Sequence, residues 1–315
     1  MLLSSLIFII SLLILLVSAR FLTGAAEKLG LYFGMSSFVT GVFIVGIGTS
    51  LPELVTGVLA GLSGNSEIVS GNVLGANISN IFLILGLIAV LSRKGIELDD
   101  SYIMVDLNFL IGSSLLLGLI MMDGEIVFSE GLFLLAVYAV YSCFLLKCGQ
   151  PFFFKKSGNN SPDKTVFPFK ALLILLASGV GIYIGADYTV ESIIEIAKHL
   201  AVPPSLISLT ALSIGTTLPE LAVSITMLQQ GKSAIAVGNI LGSCVFNALV
   251  IPGIVSVFGA IQVPEYLIGF SLPMFVVASI LFYLLTHDKK ISPSEGLLFL
   301  VFYAFFISKA AAFFI

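Results

Sequence analysis

Ten apolar runs, most of them 20 residues or longer, leave this chain little freedom of fold. They lie near 2–26, 36–62, 67–91, 102–121, 126–147, 166–197, 204–229, 233–258, 264–286 and 294–314. A hydrocarbon core of roughly 30 Å is crossed by about 20 helical residues. Inside it every backbone N–H and C=O has to be satisfied by the chain itself, which makes each run a helix. Composition agrees, because 58% of the residues are hydrophobic and only 10% charged, against about 25% charge in soluble domains. The first run ends Val17-Ser18-Ala19-Arg20 and has the outline of a secretory signal. It is long and has no basic n-region, so it is read as the first transmembrane helix.

The runs repeat. Gly48-Thr-Ser-Leu-Pro-Glu53 returns as Gly215-Thr-Thr-Leu-Pro-Glu220, an offset of 215 − 48 = 167 residues. The same offset relates Gly71-Asn72 to Gly238-Asn239, Gly75 to Gly242, Asn80 to Asn247 and Gly86 to Gly253. Each copy holds five runs, an odd number, so the second copy starts on the opposite side of the membrane and the repeats are inverted. The expected division is a first five-helix repeat over 1–147, a linker over 148–165 and a second repeat over 166–315. The linker is polar, with Lys155-Lys156-Ser-Gly-Asn-Asn-Ser-Pro162, and too short for a regulatory domain.

Basic residues orient the chain. With both termini outside, the cytoplasmic connections carry Lys28, Arg93, Lys94, Lys147, Lys155, Lys156, Lys164, Lys170, Lys232, Lys289 and Lys290, and the external side only Lys198 and Lys309. That is the positive-inside bias of a multi-pass cell-membrane protein with a cytoplasmic linker.

The repeated hexapeptide breaks a helix at membrane depth. Pro52 and Pro219 have no amide hydrogen and push the preceding residue out of helix, so nearby carbonyls lose partners. Such a break is tolerated only where protein or a wet cavity covers it. Gly46, Gly48 and Gly215 allow bending, and Thr49, Ser50, Thr216 and Thr217 add hydroxyl oxygens. Glu53 and Glu220 add two negative charges where ionisable groups usually mark an ion path. Carboxylate, hydroxyl, carbonyl and amide oxygens suit a hard cation such as Ca²⁺ or Na⁺. Asn80 and Asn247 each follow their glutamate by 27 residues (80 − 53 and 247 − 220) and supply amide oxygens from the next helix. Inverted repeats with interrupted helices are the architecture of secondary transporters, with the site at the midplane between the halves.

Other polar residues have plainer readings. The glycines of Gly71-Asn72 and Gly238-Asn239 permit close helix packing, and the asparagines cap broken helix ends. Arg20 and Asp187 snorkel to the boundary. Asp106, Asp123, Glu125 and Glu130 are solvated helix ends, and His199 and His287 are interfacial. Cys143, Cys148 and Cys244 fit neither a disulfide framework nor a metal-ligand spacing.

Gly48-Thr-Ser-Leu-Pro-Glu-Leu54 with Gly71-Asn-Val-Leu-Gly-Ala-Asn-Ile-Ser-Asn80, and Gly215-Thr-Thr-Leu-Pro-Glu-Leu221 with Gly238-Asn-Ile-Leu-Gly-Ser-Cys-Val-Phe-Asn247, resemble the two alpha-repeats of the sodium/calcium exchanger family within the calcium/cation antiporters. The resemblance covers essentially the whole chain and, with so short a linker, is to prokaryotic-type members. It implies electrogenic exchange of Na⁺ for Ca²⁺ at sites between spans two, three, seven and eight, with spans one and six sliding as a gating pair. By motif position, Glu53 and Glu220 become shared central ligands with Thr49 and Thr216 beside them. Ser50, Thr217, Ser243 and the carbonyls of Gly46 and Ser213 serve Na⁺, and Asn80 and Asn247 line the middle of the cavity.

One position departs from the family pattern: Ala76 stands where the first repeat commonly has serine, while the second keeps Ser243. The expected partners are Ca²⁺, Na⁺ and the bilayer, without nucleic acid or prosthetic group, and the chain is expected to act as a monomer. The alternative counter-ion is H⁺, although the proton-coupled branch typically reads Gly-Asn-x-x-Glu at the acidic motif. A passive cation channel and an intramembrane enzyme are rivals of other classes. Neither Gly-x-Gly-Asp nor His-Glu-x-x-His nor a paired-aspartate diphosphate motif occurs, so the enzyme reading lacks its catalytic partners.

Overall fold

The computed structural model describes residues 2–92, 95–98, 100–147, 167–199, 217–286 and 288–312. The linker 148–165 with Cys148, Lys155, Lys156 and Lys164, and also Arg93, Lys94, Thr216, Ser213 and His287, lie outside these residues. Helical segments occupy the expected positions: α1 (Leu2–Phe33), α2 in two parts (α2a, Ser37–Thr49; α2b, Leu51–Leu62), α3 (Glu67–Leu91), α4 (Asp100–Met121) and α5 (Phe128–Lys147). The second half gives α6 (Phe169–His199), α7 (Leu218–Gln229), α8 (Ser233–Val255), α9 (Leu267–Leu285) and α10 (Pro293–Ala312). Seven of these are long and apolar enough to span a membrane by themselves, and the bent α2 pair makes an eighth. Within α4 the apolar helix Asp106–Met121 is shorter, and α7 follows residues outside the description.

Helices α3 and α8 form the centre. In α8 the residues from Ile235 to Gly253 are all buried, as expected of a helix that is apolar all round. Around them α1 packs on α6, α4 on α9, α5 on α8 and α10 on α3. Exchanging the two repeats leaves this contact pattern unchanged. Large apolar side chains such as Leu13, Val17, Leu119, Leu132 and Val301 point outward, which is the normal outer surface of a chain in lipid.

Four two-residue strands express the same inverted symmetry at the membrane surfaces. β1 (Ile96–Glu97), between α3 and α4, pairs antiparallel with β4 (Lys290–Ile291), between α9 and α10. β2 (Glu125–Ile126), between α4 and α5, pairs with β3 (Ile261–Gln262), between α8 and α9. The offsets are 261 − 96 = 165 and 291 − 126 = 165, so the repeat relation converts one pair into the other. Ile96, Ile126, Ile261 and Ile291 are all buried. Each pair joins connections separated by an even number of helical segments, so both ends of each pair lie on one membrane face when every segment crosses once.

Close helix packing in lipid relies on small residues rather than on the hydrophobic effect. Gly86 of α3 and Gly296 of α10 bring their backbones together, as do Gly253 of α8 and Gly131 of α5. These pairs are also exchanged by the repeat relation. Gly238 and Gly242 let α8 lie against α2a, where an added Cβ would fall on the backbone of Phe38 and Val42. The packing role expected of Gly238 is therefore seen. Helices α1 and α6 run antiparallel, joined by Ser4 Oγ donating to Glu195 Oε2 at 2.7 Å and Thr189 Oγ1 donating to Ser11 Oγ at 2.9 Å. At the end of α1, Glu27 pairs with Lys232 at 2.6 Å, tying α1 to the start of α8.

Gly242→Val forces α8 off α2a, and overpacking of this kind costs about 1–3 kcal/mol. Gly112→Ala adds a methyl in open space and should be neutral within about 0.5 kcal/mol or mildly stabilising. Melting followed by circular dichroism in detergent separates them; equal melting temperatures for the two variants would contradict the packing.

Candidate cation site

The two hexapeptides adopt the same local structure. Ser50 (φ −89°, ψ 1°) interrupts α2, and Thr217 (φ −101°, ψ 0°) precedes α7, each followed by a proline in the first two helical positions. These dihedrals fall in the sparsely populated bridge region, where many functional residues sit. The halves of α2 meet at 41°. Glu53 and Glu220 therefore occupy the first turns of new helices, where the helix dipole favours negative charge.

Both glutamates are buried, with 3% and 1% of their surface exposed, and they face each other closely enough to repel. Among the described residues neither oxygen of Glu53 has a hydrogen-bond partner, nor has Oε2 of Glu220. Oε1 of Glu220 accepts a long bond of 3.4 Å from Ser50 Oγ, and Thr49 lies beside the same carboxylate. Asn80 and Asn247 are 1% exposed, and among the described residues their amides make no hydrogen bond of ordinary geometry, although the Cys244 thiol lies beside Asn80. A buried charge without compensation costs several kcal/mol, so this arrangement suits a counter-charge, either a proton or a cation, taken up from outside the protein.

A second cluster adjoins the acidic pair. Thr49 Oγ1 is 3.3 Å from the Gly46 carbonyl oxygen, Ser243 Oγ is 3.2 Å from that carbonyl, and the two hydroxyls are 3.4 Å apart. Thr49 Oγ1 also donates to Asn239 Oδ1 at 3.1 Å, and Asn239 Nδ2 donates to Ser224 Oγ at 3.0 Å. Gly46 closes a π-helical stretch (Gly41–Gly46), and a second such stretch (Ser79–Leu85) carries Asn80. Turns of this kind are rare and recur at functional sites.

The structure thus brings Glu53, Glu220, Thr49, Ser50, Ser243 and Gly46 into two adjoining clusters, keeps Asn80 and Asn247 on the central helices, and buries Thr217. Two expectations are corrected. Asn239 lies inside α8 and holds Thr49 rather than capping a helix end. Asp106 is no solvated end: it is 1% exposed and accepts a 2.7 Å bond from Tyr141. Tyr141 of α5 closes over it, a contact between helices that single-helix periodicity does not show. Asn77 and Ser79 carry further buried, unpartnered polar atoms. Among the described residues no group of three or more His, Cys, Asp or Glu forms. Between α1, α2 and α6 an apolar cavity of about 430 Å³, lined by Leu22, Ile44, Pro52, Leu176 and Val180 among others, flanks the break.

Comparison with known proteins follows the same lines. A family model described as "Sodium/calcium exchanger protein" matches residues 3–147 and 170–310. The inner membrane protein YrbG of Escherichia coli is 30% identical over 305 residues, covering 94% of this chain and 92% of that protein. The sodium/calcium exchanger MaX1 of Methanosarcina acetivorans is 31% identical over 346 residues, covering 96% of this chain and 97% of its own. A solved structure of the sodium-calcium exchanger NCX_Mj, soaked with zero Na⁺ and Ca²⁺, superposes with a TM-score of 0.82 at 27% identity, covering 98% of this chain and 99% of that one.

Tyr141→Phe removes the hydroxyl that Asp106 relies on, and leaving a buried polar group unanswered costs about 1–3 kcal/mol. Adding Asp106→Leu should recover part of that loss. A Tyr141→Phe protein that melts like the parent would show the pair to be dispensable.

Proposed function

Because this chain belongs to the sodium/calcium exchanger family, we propose that it exchanges Ca²⁺ for Na⁺ across the membrane by alternating access, with Glu53 and Glu220 as the shared central ligands. The observation that supports this most directly is the oxygen triangle beside the acidic pair. Its edges of 3.2, 3.3 and 3.4 Å match one face of an octahedron around a cation at about 2.3–2.4 Å, within the oxygen distances of Ca²⁺. Na⁺ has nearly the same radius. Gly46 O, Thr49 Oγ1 and Ser243 Oγ would hold Na⁺ there, with Ser50 and Glu220 alongside. Thr216, Thr217 and the carbonyl of Ser213 would provide the counterpart in the other half, where Ala76 contributes no hydroxyl. Asn80 and Asn247 would line the middle.

The chemistry is differential occupancy. Two carboxylates neutralise one Ca²⁺, and the same oxygens are refilled by several Na⁺ as Ca²⁺ leaves. Exchange of more than two Na⁺ per Ca²⁺ moves net charge, so membrane potential enters the driving force. Helices α1 and α6, bonded to each other and meeting α2 across an apolar cleft, suit a pair that slides over the site. The division into two five-helix repeats around a cytoplasmic linker, termini outside and action as a monomer belong to the same reading. H⁺ as counter-ion is not favoured, since the family description and the relative MaX1 carry sodium in their names and both acidic motifs here lack the Gly-Asn-x-x-Glu pattern.

Glu53→Gln and Glu220→Gln should each reduce Ca²⁺ transport to background while the protein still inserts, because a divalent ion is then under-compensated in a low-dielectric site. Wild-type Ca²⁺ uptake by either variant in proteoliposomes would sink the assignment. A Na⁺ gradient alone should drive Ca²⁺ release at a rate that follows an imposed potential. Release driven only by a proton gradient would replace Na⁺ with H⁺. Ala76→Ser, by restoring a hydroxyl, should lower the Na⁺ concentration for half-maximal release and change Ca²⁺ dependence much less. An unchanged Na⁺ dependence would make position 76 a packing site.

A further inference from the structure

Asn77 of α3 is fully buried, and among the described residues neither Oδ1 nor Nδ2 has a partner. No expectation assigned it a role. The repeat offset relates it to Cys244 (244 − 77 = 167), just as it relates Asn80 to Asn247 (247 − 80 = 167). Helices α3 and α8 pack against each other at the centre, and there the Cys244 thiol lies beside the Asn80 amide. The repeat relation sets Asn77 against Asn247 as it sets Cys244 against Asn80, although no hydrogen bond joins the two amides in this structure. By that correspondence the two central asparagines differ in companion: a thiol, a weak acceptor, for Asn80 and an amide for Asn247.

That difference matters for a cation. A carboxamide that turns its oxygen toward an ion has to place its NH₂ group elsewhere, and in a buried site an unanswered N–H is costly. We propose that Asn77 is a positioning residue of the ion site, its Oδ1 accepting a hydrogen bond from Asn247 Nδ2 and so holding Asn247 Oδ1 toward the bound cation. The bond belongs to the ion-loaded state, in which the cation fixes the direction of the Asn247 oxygen. Asn77 thus makes the Asn247 side of the cavity the better-ordered of the two, and Asn80, facing a thiol, the more easily released. The inference rests on the exchange reading of the same site.

The test uses Ca²⁺ itself on the purified full chain, with titration calorimetry for binding and proteoliposome flux for transport. Asn77→Ala should raise the half-saturating Ca²⁺ concentration about tenfold, the worth of a hydrogen bond to a buried ligand. In an Asn247→Ala background it should add little, because the residue acts through Asn247. Asn77→Ser, which keeps an oxygen acceptor, should recover part of the loss. Effects that simply multiply in the double variant, or Asn77→Ala binding like the parent, would overturn the proposal. If Asn77→Ala does not fold, Cys244→Asn decides: by giving Asn80 the same acceptor it should lower the half-saturating concentration, and unchanged binding would overturn the proposal. Absence of Ca²⁺ binding by the parent protein would remove the exchange reading and this inference together, whereas normal binding with multiplicative effects removes only the inference.

Discussion

Two carboxylates are buried where protein donors leave most of their oxygens unanswered, and much of the structure is arranged around that condition. A low-dielectric interior does not hold two like charges at close range without a counter-charge. The helix breaks at Ser50 and Thr217 place both groups at helix starts, where the dipole offsets part of the cost. Helices α3 and α8 wall them off from lipid. On the function proposed above, what remains to be neutralised is left to a cation, and the unanswered oxygens are the recognition element.

Most of the oxygens gathered here come from both repeats. Ser50 of the first repeat bonds Glu220 of the second, and Thr49 reaches Asn239 and Ser243. Neither half alone would close a coordination sphere. Inversion puts each hexapeptide into the membrane in the opposite sense, so that two similar half-sites meet at the midplane. The likeness is incomplete: Ala76 corresponds to Ser243, Asn77 corresponds to Cys244, and the π-helical turn starting at Ser79 has as its counterpart a regular helix containing Pro252. Such differences allow the halves to bind ions unequally.

Much of this was legible in the sequence. Run length, the absence of charge and an ungapped repeat specify the helices, the breaks and the acidic pair, because lipid removes nearly every alternative to helix. What stayed hidden depends on which helices touch. Asp106 reads as a helix end until Tyr141 of the next helix closes over it. Asn239 reads as a cap until Thr49 is brought across from the other repeat. The π-helical turns leave no mark on the apolar pattern, and strands of two residues are too short to show alternation. The apolar pattern says which residues face inward and is silent on which inward neighbour each one finds.

The strand pairs carry a consequence for motion. β1 with β4 clasps the connections of α3–α4 and α9–α10, and β2 with β3 clasps those of α4–α5 and α8–α9. Six helices are thereby riveted into one frame, with a fastening at each end of the α4–α9 pair. Among the described residues helices α1 and α6 carry no such fastening, and they meet α2 across a partly open apolar seam. On the proposed exchange reading, a rearrangement that preserves those four strands keeps the six helices together and leaves α1 and α6, held to each other and to α8 by side-chain bonds, as the pair that can shift.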